Sequence, residues 1–237
     1  MSRRSRIALK TAVWAACLTP LAALAWWFAH DDLTANPIEF VTRTLGIWTF
    51  RLLLATLALT PLRIVSGMAW QMTLRRLLGL FAFSYAVLHF TVWIVVDHFF
   101  DWPEMLADIV KRPYVTVGML ALLCLVPLAA TSTTGMIKRL GAVAWRRLHR
   151  LVYAVGVLVF LHFLWLAKVG RNEPYVYGAI VALLLGIRGW DAARRQVRRR
   201  RRGAETGQAV GPGERAGGVG PLRHPDPTPA APLSQRI

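Results

Sequence analysis

The chain has 237 residues, 55% of them hydrophobic and only 17% charged, with a mean hydropathy of +0.43. That balance excludes an ordinary soluble domain and makes a polytopic membrane protein the first reading. Charge is uneven as well as scarce, with 29 Lys and Arg against 12 Asp and Glu. The basic residues gather in clusters, with no interleaved basic and aromatic stripe on a polar domain, so they point to a membrane surface and away from nucleic acid.

Crossing about 30 Å of hydrocarbon at about 1.5 Å per residue takes roughly twenty apolar residues. Stretches of about this kind occur at Thr11 to Phe28, Leu45 to Thr60, Leu77 to Val96, Val115 to Ala130, Leu148 to Ala167 and Tyr175 to Trp190. The second and fourth are short at their strict apolar limits and extend through flanking Thr, Ser and Arg side chains that snorkel to the interface. Lipid offers no water to backbone groups, so these segments are predicted helices, and none has the strict alternation of a barrel strand. Ala23-Leu24-Ala25 resembles an export-signal cleavage site. Trp26, Trp27 and Phe28 follow it and suit an interfacial belt, so the first run is expected to remain as a span.

The loops set orientation, because Lys and Arg concentrate on the cytoplasmic side. With both termini inside, that side receives Arg3, Arg4, Arg6 and Lys10, then Arg63, Arg75 and Arg76, then Lys138, Arg139, Arg146, Arg147 and Arg150, and the arginines from Arg188 onward. Asp31, Asp32, Glu39, Asp97, Asp101, Glu104, Asp108 and Glu173 fall outside. The expected organisation is a cytoplasmic N-terminus over residues 1–10, a six-helix transmembrane domain over 11–190, and a tail over 191–237. In that tail an arginine run, Arg198 to Arg202, gives way to Gly, Pro, Ala and polar residues with too little apolar surface to fold. Gly211, Gly213 and Gly217 lack the strand and helix of a phosphate loop, and the tail has no room for a flavin or nicotinamide dehydrogenase domain. Cys17 and Cys124 lie in apolar runs and read as small buried hydrophobes rather than a disulfide or metal motif.

Six histidines divide by position. His30 and His98 lie at the outer ends of the first and third spans and His224 in the tail, and all three are read as solvated or interfacial. His89, His149 and His162 lie within or at the mouth of apolar helices, where an imidazole is costly without a partner. His89 is 12 residues beyond Leu77 and His162 is 14 beyond Leu148. Both therefore lie about 18 to 21 Å along parallel spans, at one depth in the outer half of the bilayer. Two neutral imidazoles facing one another at one depth can ligate a haem iron from its two faces. Phe83, Tyr85, Phe90, Phe160 and Phe163 are candidates to pack the macrocycle. His149, about 20 Å from His162 along the same span, cannot share that iron. It is a candidate iron ligand for a second, inner haem, which would need a partner near Arg75 or Arg76 where no histidine stands; it therefore either pairs with a ligand of another kind or serves a flavin, quinone or propionate site at the inner face.

Several segments together resemble the MsrQ (YedZ) family, the haem-binding membrane subunit of the periplasmic protein-methionine-sulfoxide reductase system. They are Arg75-Arg76-Leu77-Leu78-Gly79-Leu80 leading to Leu88-His89, Arg112-Pro113-Tyr114-Val115-Thr116-Val117-Gly118, Thr131-Ser132-Thr133, Leu140-Gly141, Trp145-Arg146-Arg147-Leu148-His149 with Val152-Tyr153, and Leu161-His162-Phe163-Leu164-Trp165. The resemblance runs from about Leu9 to Trp190. It implies an all-α, six-transmembrane-helix bundle of ferric reductase-like type in a bacterial inner membrane, with haem b and FMN as cofactors. It implies electrons drawn from the quinone pool or a cytoplasmic flavin reductase and passed to a periplasmic molybdopterin-containing catalytic subunit that repairs oxidised proteins. The family's histidines correspond to His89, His149 and His162, and the fourth histidine of the related oxidases has no counterpart. Two other readings predict different behaviour: a standalone quinol- or ferric-reducing b-type cytochrome needs no such partner, and a haem-free transporter or scaffold is colourless and built from repeats around broken helices.

Overall fold

A computed structural model describes residues 2–30, 34–167 and 172–209. It divides the chain into two units, Met1–Ala192 and Ala193–Ile237. The first is all-helical among the described residues: α1 (Arg3–Ala29), α2 (Pro37–Ser66), a 3-10 turn (Trp70–Leu74), α3 (Arg75–Val92), a π-helical turn (Trp93–Asp97), α4 (Trp102–Lys111), α5 (Pro113–Ala130), α6 (Thr134–Leu148), α7 (Leu151–Leu166) and the first part of α8 (Glu173–Ala209). Five helices are long and apolar enough to cross a bilayer, and α7, bent by 45° from α6 before it, brings the number of spans to six. The protein is thus a multi-pass membrane protein with the six crossings that the apolar runs predict.

Local chemistry sets the ends of these helices. The Ser2 hydroxyl caps α1 by accepting from the Ser5 N–H at 3.1 Å. At α2 the Asn36 side chain accepts from the Glu39 N–H, Pro37 opens the first turn, and Gly67 closes the helix in the left-handed conformation (φ 70°). Asp101 and Thr133 cap α4 and α6 in the same way as Asn36.

α2 is the central post. Of its most apolar window 56% is buried within the protein, against 11–22% for the other four long spans. It packs against α3 and α7, and α5 packs against α7. Phe50, Leu53 and Leu57 of α2, Ala82 and Tyr85 of α3 and Val155 of α7 are almost fully buried in one core. Tyr85 also ties α3 to α1, its hydroxyl donating to the Cys17 carbonyl at 2.7 Å. Cys17 and Cys124 are both free thiols, as their apolar settings suggest.

Three features depart from the sequence reading. The fourth loop is the helix α6, kinked at Gly141 (φ 75°) and anchored where the Trp145 indole N–H donates to the Thr131 carbonyl at 2.9 Å. Its basic residues disguise it as a loop because their spacing leaves only one narrow apolar face. The second unit, described as far as Ala209, is helical there, so the arginine run continues α8. Arg, Gln and Ala are good helix formers, and a helix already nucleated propagates without a core. The expected disorder of residues 210–237, and His224 with it, lies outside the described residues.

His98 is the third departure, since it is buried (7% exposed) rather than solvated. Beyond the π-turn the chain reverses through Phe99 (φ 45°) and Phe100 (φ 62°), a left-handed pair that bulky side chains rarely adopt. This reversal brings α4 back over His98, whose Nε2 lies 3.2 Å from the Asp108 carboxylate, which also pairs with Arg112 at 3.2 Å. A buried carboxylate held by two donors makes a stronger clasp than an exposed ion pair. His98→Ala is expected to speed amide hydrogen exchange at least about fivefold across α4 while leaving α2 and α3 protected. Unchanged exchange in α4 would assign its position to apolar packing alone.

Candidate functional site

His89 on α3 and His162 on α7 face each other with ring centroids 6.3 Å apart and ring planes at 83°. Each is held by a backbone carbonyl of a different neighbouring helix. Nδ1 of His89 lies 2.9 Å from the Thr42 carbonyl of α2, and Nδ1 of His162 lies 2.7 Å from the Tyr114 carbonyl of α5. A carbonyl can only accept, so each Nδ1 carries the proton and each Nε2 keeps its lone pair. Neither Nε2 has a hydrogen-bond partner among the described residues.

The two mounts are built alike. Four residues after each acceptor stands a glycine, Gly46 after Thr42 and Gly118 after Tyr114. A Cβ on Gly46 would come within 3.2 Å of the His89 ring, and one on Gly118 within 2.7 Å of Nδ1 of His162. In a helix the carbonyl of residue i points at the N–H of residue i+4, so a bare i+4 position opens its second lone pair to a side-chain donor. The glycine therefore both admits the imidazole and exposes the carbonyl that orients it.

The pair lines a cavity of about 640 Å³ whose walls include Ile47, Phe50, Phe90, Met119, Leu122 and Val159. The volume falls within the range of roughly 300–1,000 Å³ usual for cofactor sites. Charged residues collect on its rim, where α2, α5 and α8 begin and α3 and α7 end. Glu39, Arg43, Asp97, Arg112 and Glu173 line it there, with Arg43 paired to Glu173 at 3.7 Å and Arg112 to Asp108. Of the aromatics considered for the site, Phe90 and Phe163 line the cavity. Phe83 and Phe160 instead pack against the core and Tyr85 reaches α1, so these three serve helix packing.

The residues fit a haem held through its iron. An iron about 2 Å from each imidazole nitrogen, with about 1 Å more to each ring centre, puts the centres about 6 Å apart. The donor set agrees as well, being two neutral imidazoles of fixed tautomer whose far nitrogens are tied to carbonyls, the usual support for a metal-ligating histidine.

His149 is not brought to this cavity. It sits at the corner between α6 and α7, stacked on Trp145 with centroids 4.0 Å apart and with Nδ1 3.2 Å from the Trp145 carbonyl. His30 stacks on Trp26 at an exposed position. Among the described residues no group of three or more His, Cys, Asp and Glu could hold a bare metal ion, which leaves the facing pair as the site to be explained.

A six-span helical bundle with two facing imidazoles on its third and fifth spans defines a ferric reductase-type membrane domain. The family described as "Ferric reductase like transmembrane component" matches residues 45–160, which include His89 and His149 and stop just short of His162. Finer likeness is to proteins named "Protein-methionine-sulfoxide reductase heme-binding subunit MsrQ". That of Herminiimonas arsenicoxydans is 52% identical over 183 residues, covering 76% of this chain and 84% of the relative. That of Ralstonia nicotianae is 47% identical over 210 residues (87% and 94%), and that of Rhodospirillum rubrum 50% over 187 (79% and 90%). The chain belongs to the MsrQ family.

Sequence reasoning found the histidines but missed Thr42, Gly46, Tyr114 and Gly118 as their mounts, and Arg43 and Arg112 as rim residues. The repeated spacing of glycine four residues after the acceptor was legible, yet glycines are common in membrane helices for close packing alone. Because the two contacts differ in tightness, Gly118→Ala is expected to destabilise the protein by about 1–3 kcal/mol, and more than Gly46→Ala. Thermal unfolding in one detergent checks the order, and equal midpoints for both variants and the parent would show that neither glycine makes room for an imidazole.

Proposed function

We propose that this protein is the haem-binding electron-transfer subunit of a methionine-sulfoxide reductase system, with haem b ligated by His89 and His162. The single observation that carries this reading is the facing pair, each imidazole locked by a helix carbonyl into the tautomer that leaves Nε2 for iron. Bound there, haem supplies a one-electron carrier within the hydrocarbon layer. The chain's own residues do the rest. The two carbonyls fix the orientation of the imidazoles, the apolar wall excludes water, and Arg43 and Arg112 at the rim are the residues that would hold the propionates.

The names of the relatives supply the system: each is a haem-binding subunit of a protein-methionine-sulfoxide reductase. The partner in this reading is a periplasmic molybdopterin-containing catalytic subunit that reduces methionine sulfoxide in oxidised proteins. Electrons enter from the quinone pool or a flavin reductase on the cytoplasmic side of the inner membrane, and FMN belongs to that entry side. Charge supports the orientation. The histidine cavity opens at a mixed rim, where Glu39, Asp97 and Glu173 stand with Arg43 and Arg112, whereas the ends opposite carry Arg63, Arg75, Arg76 and the basic face of α6 with no acidic residue among them. His149, on the basic side, takes part in electron entry rather than in ligating this haem.

His89→Ala and His162→Ala are each expected to abolish the low-spin b-type spectrum of this haem in the purified protein while the helix content stays intact by circular dichroism. His149→Ala is expected to keep that haem and slow its reduction by the physiological donor. Retention of the full low-spin signal in both the His89 and the His162 variant would overturn the ligand assignment.

A further inference from the structure

The haem reading leaves one charged residue of the central post unused. Arg51 stands 14 residues from Pro37 and 15 from Ser66, the two ends of α2, so it lies near the middle of a hydrocarbon layer about 30 Å thick. Arg188 of α8 is also an arginine of the bundle, but it is buried and donates to the Leu57 carbonyl. Arg51 is exposed on the outer face of α2. Its Nε donates to the Tyr177 hydroxyl of α8 at 3.0 Å, and its guanidinium lies over the Trp48 ring, 5.0 Å from the ring centroid. Among the described residues no carboxylate pairs with Arg51, and neither its Nη groups nor the Tyr177 O–H proton finds an acceptor. Trp48 in turn lines a groove of about 500 Å³ between α1 and α2, walled by Ala16, Pro20, Ala23 and Thr44. On the inward side the Tyr177 ring stacks on Phe50 with centroids 5.1 Å apart, and Phe50 lines the cavity of His89 and His162. One aromatic layer separates this polar pair from that cavity.

A guanidinium stays charged in any surroundings, so at mid-membrane its free N–H groups need acceptors. Lipid phosphates lie at the membrane surface, roughly 15 Å away, beyond the reach of one side chain. None of the 12 Asp and Glu residues falls within an apolar run of this sequence, so neither the chain nor a second copy brings a carboxylate to this depth. The acceptor is then a molecule dissolved in the hydrocarbon layer. A few convergent donors beside an apolar groove suit a lipophilic ligand that presents carbonyl oxygens. We propose that Arg51 and Tyr177 bind a ring oxygen of a quinone from the lipid phase, with its apolar tail along the groove beside Trp48. This rests on the electron-entry reading above, and of the two sources named there it selects the quinone pool and gives it a place. Closeness to the histidine cavity is what favours a redox-active ligand over a structural lipid.

The test uses the full-length protein and its Arg51→Gln and Tyr177→Phe variants, purified side by side in one detergent. Each is titrated with decylubiquinone and with menadione by isothermal calorimetry, with empty micelles subtracted, and its haem is assayed on the same sample. The parent is expected to bind at least one of the two quinones, with affinity about tenfold lower in Arg51→Gln and lower also in Tyr177→Phe, which keeps the ring stacked on Phe50 and loses only the hydroxyl. Haem content is expected to be the same in all three. If Arg51→Gln does not fold, Tyr177→Phe decides. A haem-loaded parent that binds neither quinone, or folded variants that bind as the parent does, overturns the proposal and leaves the haem ligation standing. Haem-free protein that still binds quinone through Arg51 and Tyr177 supports the proposal while contradicting the haem ligation. Loss of bound phospholipid phosphorus from Arg51→Gln, with quinone binding intact, would assign the arginine to a lipid and overturn it.

Discussion

Two hydrogen bonds from imidazole Nδ1–H groups to carbonyls inside neighbouring helices set the terms for the site. A histidine in an apolar bundle must satisfy its polar atoms internally, and among helices every main-chain carbonyl is already engaged. The solution here is to share a carbonyl that already serves the helix ladder, which is possible only where the next turn has no side chain in the way. Gly46 and Gly118 meet that condition on two different helices. The imidazoles are thereby fixed in position and tautomer by the protein's own backbone.

The packing of the bundle follows from the need to keep these two mounts in register. α3 and α7 carry the histidines and α2 and α5 carry the carbonyls, and the principal contacts, α2 with α3 and α5 with α7, are the two mount pairs. α2 joins them by also packing on α7, through Leu57 against Gly156. On the rim side, Arg112 links the Asp108 and His98 clasp of α4 to the Tyr114 hydroxyl at 3.3 Å, and it is the Tyr114 carbonyl that holds His162. The surface helix α4 is therefore tied, through one short segment, to the orientation of the His162 side chain.

Much of this was legible in the sequence, and the reasons differ by element. The six spans were legible because a bilayer imposes a length and an apolarity that few other settings require. The shared depth of His89 and His162, and the exclusion of His149 from their site, follow from helical rise alone. What stayed hidden depends on contacts between elements. His98 looked solvated because Asp108 reaches it only through the left-handed turn at Phe99 and Phe100, which no residue type there announces. α6 was hidden by its charge and by the break at Gly141. The burial of Arg188 was concealed by the basic run that follows it, where one more arginine looks like part of a solvated cluster.

The measurement that bears most directly on the facing-histidine site is an oxidised-minus-reduced optical spectrum of the purified, haem-supplied parent protein, with haem per chain determined by pyridine haemochrome. A low-spin b-type spectrum at one haem or more per chain is the result expected of two imidazoles on one iron. A well-folded protein that stays colourless, or that binds haem only in a high-spin form, would contradict it.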